Sequence, residues 1–261
     1  MSNPGSAEPG FDSSTVLGKV MVTLHSFRID DAALSFSEIQ RRTGIAKGTL
    51  HRVLGDMVEV RLLDRADDGY RLGGQLFELG MRASVGRGLL ELAIPFLEDL
   101  YVRTRETVHL GVLDGNEVMY LSKIGGHRQA AAPSKLGGRM PVHCTAIGKV
   151  LLAHAAPDVR NAVLAGPLPR HTPHTIVHPG VLNRQLERIV VEGVAFEAEE
   201  STLGIVCVAA PVRLAGGDAI AAISVTGPAV RFDPAAHAAS VRAAANELGN
   251  VLTRRERLSD R

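Results

Sequence analysis

The sequence predicts an α+β chain: an N-terminal winged helix-turn-helix joined by a helical linker to an antiparallel-sheet domain. Three observations predict it. First, residues 35–72 read as a short helix, a glycine turn, a longer helix and a hairpin. Second, the strand-like runs after Thr107 are joined by tight Asp-Gly-type turns, as antiparallel neighbours require. Third, the helical segments of that region come in separate blocks, not strictly alternating with strands, which argues against a βαβ barrel.

The elements follow in chain order. Residues 1–13 are rich in Ser, Pro and Gly and are expected to be a disordered tail. The DNA-binding domain is expected over residues 14–74. Its first helix, residues 15–27, has Ser14 as N-cap and turns Val16, Leu17, Val20, Leu24 and Phe27 inward. Ser35-Phe36-Ser37-Glu38 is a capping box, with the serine taking a free N–H and the glutamate reaching back. Thr43-Gly44 ends that helix, and Leu50, Val53, Leu54, Met57 and Val58 form the apolar stripe of the next, residues 46–59. Two helices about a glycine turn, the second polar at its N-terminal end, are the pattern of a DNA reader. Leu62–Arg65 and Tyr70–Leu72 then flank Ala66-Asp67-Asp68-Gly69 and make the wing.

A linker helix is expected over residues 75–88 and a second domain over residues 89–257. Pro95 should kink the helix of residues 89–103 or mark its start. Strands are expected at residues 108–113, 118–121, 205–214 and 219–226, and helices at 146–154, 157–164, 181–192 and 234–257.

The whole chain of 261 residues carries a net charge of only +1, so any attraction to DNA must be local. Arg41, Arg42, Lys47 and Arg52 with Glu38 give net +3 between Glu38 and Arg52, a patch suited to phosphates. Two cysteines, Cys144 and Cys207, offer no disulfide framework. Without a visible signal peptide or an apolar run long enough for a bilayer, the cytoplasm is the expected location and no membrane partner is expected.

Taken together, these motifs resemble the IclR family of bacterial transcriptional regulators from about Thr15 to Arg254. The resemblance is carried by RRTGIAKGTLHRVL (41–54), GYRLG (69–73), ETVHL (106–110), MPVHCTAIGKVLLA (140–153), LPRHTPHTI (168–176), GIVCVAAPV (204–212) and AAISVTGP (221–228). It implies a GAF-like effector-binding domain behind the winged helix. It also implies a homodimer or dimer of dimers acting as a repressor or activator on a double-stranded DNA operator, near-palindromic because a symmetric dimer presents two readers. Residues 46–59 would lie in the major groove. Thr49, His51 and Arg52 would contact bases or phosphates, Arg41, Arg42 and Lys47 phosphates, and Arg65 and Arg71 the flanking backbone. The effector pocket is implied at Met140, Ala146, Ile147, Glu197, Ile205, Cys207, Ser224 and Thr226. A small organic effector, a carboxylic or aromatic acid, is the implied class, and no cofactor is expected. The residues themselves fit such a pocket: Ser224 and Thr226 alternate on one strand face, and an adjacent helix start can receive a carboxylate. The plain alternative is that both hydroxyls satisfy buried strand edges.

The chain departs from the family pattern at Gly48, where Ser or Thr is common; with Gly55 also on the exposed face of the reading helix, DNA backbone is expected to approach closely there. Arg61 holds the usual position of a glycine with φ > 0. Glu197 stands where Asp is frequent, and its longer acid is expected to narrow the pocket or disfavour an anion. His171, His174 and His178, or His143 and Cys144 with Cys207, invite a metal- or thiol-sensing reading, and a thiol–histidine pair a GAF-like enzyme. No nucleotide loop, H-E-x-x-H or G-x-S-x-G supports catalysis, and the favoured reading of both cysteines is packing.

Overall fold

The computed structural model describes residues 11–82, 87–125 and 133–259. The chain divides into two compact units, with the division between Arg87 and Gly88. The expected tail, residues 1–13, lies outside the described residues as far as residue 10, as do linker residues 83–86.

The N-terminal unit holds α1 (Val16–His25), α2 (Phe36–Thr43), α3 (Lys47–Glu59), β1 (Leu63–Ala66), β2 (Gly69–Leu72) and α4 (Gly74–Arg82). Thr15, not Ser14, caps α1 by accepting from Gly18 N. Val16 and Leu17 are 70% and 71% exposed, so the expected inward face of α1 begins only with Val20 and Leu24. Ser35 Oγ accepts from Glu38 N as expected, but the Glu38 carboxylate turns away to Arg41 and Arg42. A guanidinium pair outcompetes a single backbone N–H for a carboxylate. Ile39, Leu50, Val53, Leu54, Met57, Leu63 and Tyr70 form the core of this unit. Arg61 has φ 59° where α3 ends, and Leu62 N donates to Met57 O at 2.9 Å across it. The wing closes through Asp67-Asp68, with Gly69 already paired to Ala66 in β2. A Cβ at Gly69 would stand 2.2 Å from Leu34 O, so only glycine lets the wing dock on Leu34, which leads into α2.

The C-terminal unit holds α5 (Arg87–Thr104), β3 (Thr107–Asp114), β4 (Glu117–Ile124), β5 (Arg139–Pro141), α6 (Ala146–Ala153), α7 (Pro157–Ala165), α8 (Pro179–Glu192), β6 (Ala195–Ala198), β7 (Ile205–Arg213), β8 (Ala219–Pro228) and α9 (Pro234–Ser259). α5 runs through Pro95, so that proline marks no helix start. The sheet is antiparallel in the order β5-β4-β3-β8-β7-β6. Strand alternation sends Val108, Leu110, Val208, Ala210, Ile223 and Val225 to one face, where residues of α5 and α9 join their core. Ala209 and Ala222 face the other way, onto α6 and α8. α6 seats closely: a Cβ at Gly148 would lie 2.4 Å from Val142 Cα.

Candidate functional site

The α6 side of the sheet carries a row of polar side chains. β3 supplies His109, β8 Ser224 and Thr226, β7 Cys207 and β6 Glu197, and register sets them side by side. His109 pairs with Ser224, Cys207 with Thr226, and Glu197 with Cys207. Between this row and the start of α6 lies a narrow cavity of about 30 Å³. Met140, Ala146, Ile147, Glu197, Ile205, Cys207, Ser224 and Thr226 all line it, so the structure brings together every residue implied for the pocket. It adds residues that sequence reasoning missed, chiefly His109, Tyr120, Ser134 and Ser201.

The geometry of the row sets its chemistry. His109 Nε2 lies 2.8 Å from Ser134 Oγ, and its Nδ1 lies 3.4 Å from both Ser224 Oγ and Thr226 Oγ1. Burial, with Lys123 adding repulsion, pushes the imidazole down to about 3, so it is neutral at physiological pH. Tyr120 meets it edge-on at 5.1 Å. Cys207 Sγ is 3.1 Å from Thr226 Oγ1, and burial raises this thiol well above its ordinary value. Glu197 Oε1 accepts from Glu200 N at 2.7 Å and Ser201 N at 3.0 Å. Its Oε2 is buried on the side of the Cys207 thiol and has no geometric hydrogen bond among the described residues. Burial raises the Glu197 carboxyl, and the backbone N–H groups of Ser201 and Glu200 pull the other way. The first-turn N–H groups of Ala146 and Ile147 have no partner within their own helix and lie at the same cavity. Behind them Lys149, fully buried, holds Glu200 Oε1 at 2.6 Å and Gln185 Oε1 at 3.1 Å.

The second polar surface is on the N-terminal unit. Lys47, His51 and Arg52 are exposed on the first turns of α3, and Thr49 is half-buried. Neither Lys47 nor Arg52 has a partner among the described residues, while the His51 ring leans on Phe36 at 6.3 Å. A Cβ at Gly48 or Gly55 would meet nothing within 4 Å, so this face is open. On the wing, Arg65 stacks over the Tyr70 ring at 5.1 Å, and Arg71 Nε faces Asp64 Oδ2 at 3.7 Å with both side chains exposed. Arg41 is exposed and paired with Glu38 at 2.6 Å. Arg42 departs from the expectation of a phosphate contact. Its side chain is 15% exposed and bound to Asp31, to Glu38 and to Ser26 O. Asp31 and Glu38 together neutralise it, so its charge serves the unit's own packing.

The cysteine and histidine clusters also differ from both expected sets. His171 meets His143 and Cys144, while Cys207 belongs to the cavity. Burial pushes the Cys144 thiol up to about 12, which is the wrong direction for a nucleophile.

Comparison with known proteins matches both units. Residues 17–67 match the IclR helix-turn-helix domain, and residues 81–250 match the bacterial transcriptional regulator IclR C-terminal domain. The chain is 36% identical over 207 residues to the HTH-type transcriptional regulator BhcR of Paracoccus denitrificans, covering 78% of this chain and 74% of that regulator. It is 34% identical over 239 residues to the HTH-type transcriptional regulator XynR of Escherichia coli, covering 90% and 94%. Among solved structures, an IclR homolog from Microbacterium hydrocarbonoxydans complexed with 4-hydroxybenzoate superposes with a TM-score of 0.85 at 35% identity, covering 90% of this chain and 98% of that one. These relatives are regulators of transcription rather than enzymes, and among the described residues no helix is long and apolar enough to cross a membrane. The chain belongs to the IclR family of bacterial transcriptional regulators: a DNA-binding helix-turn-helix unit followed by a ligand-binding unit.

Proposed function

We propose that this regulator binds a near-palindromic operator as a homodimer or dimer of dimers, and that a small carboxylic or aromatic acid in the sheet-side cavity changes its operator affinity. The observation that carries this reading is the cavity itself. A helix N-terminus, a neutral histidine and two strand hydroxyls converge on a space otherwise walled by Tyr120, Met140, Ile147 and Ile205. Such a wall suits an aromatic ring, and the first-turn N–H groups of α6 suit its carboxylate. A hydroxyl on the far side of the ring would find Ser224, Thr226 or His109 as a partner. The 4-hydroxybenzoate held by the Microbacterium homologue has this combination of groups, which makes it the first probe.

On the DNA side, α3 enters the major groove with Thr49, His51 and Arg52 toward base edges or phosphates. Lys47, Arg41, Arg65 and Arg71 meet the backbone. The effector acts by linkage: it shifts operator affinity by the difference in its own affinity for the two arrangements of paired readers. The test is titration of labelled DNA from upstream of the regulator's own gene, with and without a panel of small organic acids. An affinity that one acid changes supports the reading; operator binding that no acid changes removes the effector from it.

A further inference from the structure

The loop between α7 and α8 folds back on the lead-in to α6 and places His171 beside His143 and Cys144. One ligand atom from each of the three lies within 4.8 Å of the other two. None of the three lines the effector cavity, so that site does not account for the cluster. His171 Nε2 is buried and has no hydrogen-bond partner among the described residues, an uncompensated polar atom of the kind native folds rarely leave. His143 Nε2 sits 3.0 Å from Pro169 O. Donation of its N–H to that carbonyl leaves the lone pair on Nδ1, and an outer hydrogen bond of this kind is what orients a metal-binding imidazole.

The two strands of backbone that bring these donors together are themselves fixed. Thr172 Oγ1 donates to Glu199 O and Thr175 Oγ1 to Glu200 O, both at 2.6 Å, and Thr175 Oγ1 also accepts from His171 N. On the other side Thr145 Oγ1 donates to Pro141 O and accepts from Gly148 N, which locks the residue after Cys144.

We propose that His143, Cys144 and His171 bind a borderline-soft divalent transition metal, zinc(II) being the best match to two imidazoles and a thiolate. The thiol proton leaves to solvent as sulfur takes up the metal, and water or a small anion completes the four-coordinate shell. The metal ties the α7–α8 loop to the entry of α6, whose next residues, Thr145, Ala146 and Ile147, line the effector cavity.

Cobalt(II) reads this site directly. The full-length protein, reduced and stripped of metal with chelator, is titrated with cobalt(II) and then with zinc(II). The expected result is one equivalent bound with a thiolate-to-cobalt charge-transfer band and intense four-coordinate visible bands, all displaced by zinc(II). C144S abolishes the charge-transfer band, H171N weakens uptake by more than about tenfold, and C207S leaves both unchanged. H171N alters a half-buried loop residue, and its circular dichroism and thermal transition report that it is folded. Absence of the charge-transfer band in the parent protein overturns the proposal, as does its survival in C144S or its loss only in C207S.

Discussion

Lys149 Nζ lies 2.6 Å from Glu200 Oε1, and the lysine is wholly buried in α6. This pair joins the helix at one wall of the cavity to the turn at the other. Glu200 N also donates to Glu197 Oε1, so the cavity acid is held by the same turn. Removing one partner of a buried pair leaves a charge with no compensation. Lys149→Met should therefore destabilise the protein by about 3–5 kcal/mol. Lys149→Met with Glu200→Gln should cost less than the sum of the single changes, because neither variant residue is then a stranded ion. Urea unfolding of the C-terminal transition checks both, and strict additivity would argue against the pairing.

His109 makes stability depend on pH. Its folded value is depressed to about 3 from an ordinary 6.5 by burial. The unfolded chain therefore takes up a proton that the folded chain refuses. Stability from this group is complete above about pH 6.5 and falls as pH drops toward about 3, with about 2 kcal/mol lost by pH 5. His109→Gln should flatten the stability profile between pH 6.5 and 5 by that amount, measured by denaturant unfolding at fixed pH values. An unchanged profile would mean that the imidazole protonates freely in the folded state.

Gly48 and Gly55 separate folding from DNA binding. Neither position meets a neighbour within 4 Å of an added Cβ, so alanine enters without a clash inside the protein. Each Gly→Ala change should stabilise α3 by up to about 1 kcal/mol. If DNA backbone approaches this face, the same changes weaken operator binding. Thermal melting and operator titration together check the prediction; a gain in stability with unaltered affinity at both sites would place DNA elsewhere.

Arginine and lysine positions on the reading unit should respond differently. Arg52→Ala should lose about 1–3 kcal/mol of specific operator affinity if its guanidinium pairs with a guanine. Lys47→Ala should reduce the slope of log affinity against log salt by about one. Arg42→Ala should instead lower thermal stability, since its guanidinium holds Asp31, Glu38 and Ser26 O together.

Local signals carried much of the fold. The α2 cap at Ser35, the apolar stripe of α3, the wing turn and the Asp114–Glu117 hairpin each depend on residues a few positions apart, so the sequence displays them directly. β5 and β6 escape notice because three or four residues give alternation no room to register. Val16 and Leu17 mislead because the helical period groups them with Val20 and Leu24, although the core reaches only the latter pair. At the cavity, Ser224 and Thr226 announce a common face by their spacing, whereas His109 signals only as one polar residue in an apolar strand. Lys149 carries a similar mark, a lone charge in an apolar helix, but its partner lies 51 residues away and no local pattern names it. The reach from Arg42 to Asp31 is hidden for the same reason.

The most direct test of the account is operator affinity measured against 4-hydroxybenzoate concentration for the parent protein and for Ser224→Ala with Thr226→Val. The double variant removes the two cavity hydroxyls without adding bulk to the cavity wall. The account predicts that the acid shifts operator affinity of the parent, and that the variant binds the operator equally well but has lost the shift. An undiminished response in the variant would contradict the assignment of this cavity as the effector site.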